Sequence, residues 1–232
     1  MSGAGSGGMG EKIPKWEQKL WSYLSSSNDL HCPLAVSCDK RYEWCIGDHK
    51  EKIKHSLDDK RVKLSDYDFI KPTQLCNICY LVDLLARRLL KRAKINHPPT
   101  PVSLIQSIDD HRRVIIHRLA LKSHHAALWQ LEDRWIIQLR HNNAPGKNRF
   151  VLFHEAFHIL SHCRSTPFFN KRGTEQGFFN ELMADVFAAL VLMPKEWMET
   201  KWAETRDLDN MSKIFEVPKL SMCVRLKRLG LI

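Results

Sequence analysis

Phe153-His154-Glu155-Ala156-Phe157-His158 is the stretch on which the reading of this chain turns. It sets His-Glu-x-x-His inside an apolar segment predicted to be helical from near Lys147 to beyond His158. Residues four apart share one helix face, so both imidazoles can reach a single ion, with Glu155 beside them at the position of a metal's water. His162 continues the series, but four residues of helix add about 40° of drift and about 6 Å of rise. Three successive histidines therefore cannot close on one ion, and His162 is expected at a helix end. Arg164 stands where a metzincin needs its third histidine, which excludes that class.

The next predicted helix, about Gln176 to Leu192 and stopped by Pro194, carries Asn180-Glu181-Leu182-Met183-Ala184-Asp185. Glu181 is a suitable third zinc ligand. Asp185, one turn on, can accept the other ring N–H of a liganding histidine and so fix its tautomer. Phe178, Phe179, Leu182, Met183, Val186, Phe187 and Leu190 surround the two carboxylates. Acids in such surroundings need partners, and a cation site supplies them. Three protein ligands leave a fourth position open, the pattern of a catalytic rather than a structural zinc.

The chain of 232 residues is 44% hydrophobic and 27% charged, as expected of a globular protein. A disordered tail, a collagen-like repeat and a membrane channel are excluded. The longest apolar run, Val186 to Met193, falls far short of the roughly 18–20 residues that span a bilayer. No charged start followed by an apolar stretch marks a secretory signal, so a cytoplasmic location is expected. Lys plus Arg number 36 against 26 Asp plus Glu, a net charge of +10. That balance suits an acidic partner such as nucleic acid, and equally a basic surface that only keeps the protein soluble.

Four segments follow from composition. Residues 1–10 are a Gly/Ser-rich flexible leader. Residues 11–96 form a Cys-rich module with a short helix over Trp16–Leu24 and a long basic, amphipathic one over Leu75–Lys94. His97-Pro98-Pro99-Thr100-Pro101 begins a domain over 97–206, since consecutive prolines cannot continue a helix. It holds a helical Val102–Ile108 and strands at Val114–Leu121, Ala127–Leu131 and Trp135–Leu139. Residues 207–232 read as two short helices around Val217-Pro218, with the look of a helix-turn-helix. The fold class is α+β, a small sheet with the two site-bearing helices. Trp135–Leu139 is expected to offer an edge to an extended peptide.

Five of the seven cysteines fall early in the chain, at Cys32, Cys38, Cys45, Cys76 and Cys79. Four thiolates hold a structural zinc, and Cys-x-x-Cys is a common half-site. An iron–sulfur cluster, which uses the same ligands, is the less favoured occupant; buried thiols without metal are the plain alternative. Cys163 and Cys223 read as ordinary small residues. All four tyrosines precede residue 97, so candidates to stabilise an oxyanion are His124, His125, His141 and several arginines.

Three elements together resemble the ImmA/IrrE family of zinc metallopeptidases, compact relatives of the gluzincins. They are Arg149 to His158, Asn180 to Pro194, and the ending Phe215-Glu216-Val217-Pro218 with Arg225 to Leu231. The resemblance implies a zincin-like core, zinc on His154, His158 and Glu181, and catalysis by Glu155. It further implies a regulatory endopeptidase that hydrolyses a protein partner such as a helix-turn-helix transcriptional repressor. The rival expectation is a nucleic-acid-binding regulator or sensor that uses the same core as a scaffold without turnover.

Overall fold

Alternation of apolar and polar residues builds a three-stranded mixed sheet from β1 (Arg113–Leu119), β2 (Ala126–Gln130) and β3 (Arg134–Arg140). The computed structural model describes residues 13–25, 72–121, 125–162 and 175–232. Around the sheet stand α1 (Lys15–Ser25), α2 (Pro72–Arg92), a 3₁₀ turn (Val102–Ser107), α3 (Pro145–His162), α4 (Glu175–Leu192), α5 (Lys195–Thr205), α6 (Leu208–Phe215) and α7 (Lys219–Arg228). The class is α+β. No helix among the described residues is long and apolar enough to cross a membrane.

The strand order is β1-β3-β2, with β3 parallel to β1 and antiparallel to β2. This corrects the expectation that Trp135–Leu139 is an edge. It is the central strand, its main chain bonded on both sides, and among the described residues the edges belong to β1 and β2. Local alternation identifies a strand but says nothing of its neighbours. Trp135, Ile137 and Leu139 point inward onto the core, and Val114, Ile116 and Leu128 share that face by register.

α3 and α4 pack against each other and carry the centre of the core. α3 buries Leu152, Phe153, Ala156, Phe157, Ile159 and Leu160; α4 is buried almost continuously from Val186 to Leu192. From Val186 on, the second helix is therefore wrapped on every side, and its polar residues all precede that stretch. α1 and α2 join the same core: the Trp21 ring lies 6.2 Å from Phe157, and buried Glu17 pairs with Arg88 of α2 while accepting from Trp21 Nε1. Fully buried Thr100 donates to Val191 O at 2.8 Å. The proline-rich segment thus links two parts of one core.

The C-terminal helices pack on that core as well. Arg225 is buried and donates from Nε to Met193 O at 2.9 Å. Arg149 of α3 bonds both Thr100 O and the Glu216 carboxylate. A Cβ at Gly146 would meet backbone atoms of Val217 at 3.0 Å and of Glu216 and Pro218 at 3.2 Å, so the start of α3 admits the α6–α7 turn only as glycine. Helix α5 has no counterpart in the expectations from sequence. Pro194 stands at its start and Arg206, with φ of 49°, at its end. Met198 and Trp202 alone are buried on it, too sparse an apolar face to stand out.

Candidate metal centre

Two helices bring three side chains together. His154 and His158 lie one turn apart on α3, and Glu181 reaches them from α4. His154 Nε2 is 3.2 Å from His158 Nε2 and 3.2 Å from Glu181 Oε2, and His158 Nε2 is 3.5 Å from Glu181 Oε1. Atoms about 2.0–2.2 Å from one tetrahedral zinc stand about 3.3–3.6 Å from each other. The donor set and its spacing therefore fit zinc. The imidazole planes meet at 67° with centroids 4.9 Å apart, so the two rings converge at one edge rather than stacking.

Asp185 stands one turn beyond Glu181 with Oδ1 2.7 Å from His154 Nδ1. An N–H at Nδ1 donates to this carboxylate, which leaves Nε2 as the ring atom that faces Glu181 and His158. Burial works against charge on His154, yet its hydrogen bonds to Asp185 and Glu181 prevail, and its pKa is pushed up to about 10. Without a cation, a proton thus holds the carboxylates against the rings. A divalent ion takes over that task on displacing it.

Exposure is uneven. The His154 and His158 side chains are 15% and 20% exposed, whereas Glu181 and Asp185 are near half exposed. The histidines line a wall backed by Phe157, whose ring centroid is 6.4 Å from that of His158, and the carboxylates form the rim toward solvent. Glu155 is buried next to His154 and adds to the negative potential on that ring. His162 is exposed at the end of α3 and turns edge-on to Trp135, with centroids 5.2 Å apart, away from the cluster.

Trp135 is itself tied down: its Nε1 donates to Asp109 Oδ2 at 2.8 Å, and Asp109 also accepts the His111 and Arg112 amides. This pairing of a strand residue with a loop carboxylate had no signal in sequence spacing. His125 contacts Asn143 and Lys147 near the start of α3, about 10 Å along the helix from His154, and His141 contacts Asn142. His124 lies outside the described residues, as do Cys32, Cys38, Cys45 and Cys163. Cys76 is on α2, its side chain outside the description, and Cys79 is buried in the core.

A profile of the IrrE N-terminal-like domain, a peptidase family, matches residues 110–227, just over half the chain and the whole of the metal cluster. Among solved structures, a Mycobacterium tuberculosis transcriptional regulator superposes with a TM-score of 0.50 at 14% identity. The superposition covers 64% of this chain and 46% of that one, so the chain spans about half the length of its structural neighbour. At that identity the likeness speaks to fold. No curated protein matches the sequence.

Proposed function

The chain belongs to the ImmA/IrrE metallopeptidase family, and from that premise we propose that it is a zinc-dependent endopeptidase acting on a protein partner. The observation that carries this reading is the 3.2–3.5 Å convergence of His154 Nε2, His158 Nε2 and the Glu181 carboxylate. These three residues would hold the ion, with Asp185 orienting His154. Zinc bound there would supply Lewis acidity toward a peptide carbonyl.

Glu155, next to His154 and shielded from solvent, is the group to take a proton from the attacking water and hand it to the leaving nitrogen. Of the two edge strands among the described residues, β2 packs beside α3. An extended substrate would add to that edge through main-chain hydrogen bonds, which hold a peptide without prescribing its sequence. A helix-turn-helix repressor is the substrate class that the family resemblance supports.

Glu155→Gln tests this reading, because it leaves the three ligands in place. Zinc content should stay at the wild-type value while hydrolysis of the partner is lost. A variant that holds zinc and still carries out the biological role would instead favour a scaffold without turnover.

A further inference from the structure

The two faces of the sheet differ. Inward lie the core residues named above; outward, by register, lie four short rows. One inner row is Ile115, Ile136 and Trp129. On one side of it stand Arg113 and Arg134, and on the other His117, Gln138 and Ala127, followed by Arg140 beside exposed Leu119. Trp129 is 56% exposed, and Arg113, His117 and Arg134 are exposed too. Ile115 and Ile136 are half-buried and take no part in the core.

The charge on these strands is of one sign. The residues of β1, β2 and β3 include four arginines and a histidine but no carboxylate. Two acids, Glu132 and Asp133, stand at the turn before β3, where Asp133 pairs with Arg134 and lies within the field of Arg113. The Trp129 ring is tied to the sheet by a bond from its Nε1 to Gln138 Oε1 at 3.0 Å, with more than half its surface left open. An ordered aromatic ring in an apolar row, flanked on both sides by guanidinium groups, is what a single strand of nucleic acid requires. Bases stack on the ring and phosphates meet the arginines.

We infer that the outward face of this sheet binds single-stranded nucleic acid, with Trp129 as the stacking platform and Arg113, Arg134 and Arg140 as phosphate contacts. A second copy of the chain is a poor occupant, since two faces of the same positive charge repel. An acidic peptide would answer the arginines but leave the aromatic row without a matching group. A duplex would engage the arginines and leave its bases out of reach of Trp129. The site is separate from the metal cluster, and its occupancy does not depend on peptidase activity.

The test is fluorescence anisotropy of the full chain with labelled single-stranded oligo-dT, an RNA of the same length, the matching duplex and a poly-glutamate peptide, over a salt series. Three phosphate contacts on a single strand predict a slope of log K against log salt of about −2. Trp129→Ala should weaken single-strand binding about tenfold. Arg113→Ala should reduce the slope by about 0.7 while leaving zinc content unchanged. Glu155→Gln should bind the oligonucleotide as wild type does. Both test residues are exposed, and circular dichroism confirms that each variant is folded. The assignment is overturned if the duplex binds as well as the single strand and Trp129→Ala has no effect. Binding of poly-glutamate in preference to both oligonucleotides overturns it too, as does Trp129-dependent dimerisation without oligonucleotide binding.

Discussion

Helix α4 and the outward face of the sheet handle charge in opposite ways. On α4 two carboxylates, Glu181 and Asp185, stand just before and within a stretch given to the core from Met183 to Leu192, and each is set against an imidazole within 3.5 Å. On the sheet, groups of one sign are spread over strands that hold no carboxylate. Convergence of unlike groups at hydrogen-bond distance makes a place where a small ion is gripped and a proton moved. Dispersal of like groups over a flat platform makes a surface for something long and oppositely charged. One small fold thus carries two kinds of site, and substitutions can address them separately.

The largest expected effect is on chemistry. Glu155→Gln should lower turnover by about 10²–10⁴-fold with zinc retained, measured by cleavage of the partner protein against metal content. Next comes the support of the ligand set. Asp185→Ala should weaken zinc about 10–100-fold in a competition titration, with little change in folding, because Asp185 is exposed and acts through the His154 ring. A loss no larger than that of an ordinary surface change would break the contrast between α4 and the sheet. Smallest is the joint between the two regions. Trp135→Phe removes the donor to Asp109 and should cost about 1–3 kcal/mol in denaturant unfolding, leaving zinc affinity and oligonucleotide binding near wild type.

What is legible in the sequence is whatever lies close along the chain. The i, i+4 spacing of His154 and His158, and of Glu181 and Asp185, is a property of one helix turn, so spacing alone places each pair on a face. The strands at 113–140 and the helix pair around Val217-Pro218 are marked by short-range alternation and by proline. Strand order is not legible, because β3 pairs with β1 across an intervening strand, and no local pattern records which neighbour a strand selects. The expectation of an edge at Trp135–Leu139 fails for that reason. Asp109 and Trp135 meet across the same non-local distance, and α5 buries too few residues for its period to show.

Zinc per chain, measured on protein purified without chelator or nickel affinity, tests the central claim most directly. Wild type and Glu181→Ala should differ by one zinc, since this substitution removes a ligand from α4 while leaving the core of that helix untouched. An equal zinc content in the two proteins would contradict the assignment of the ion to His154, His158 and Glu181.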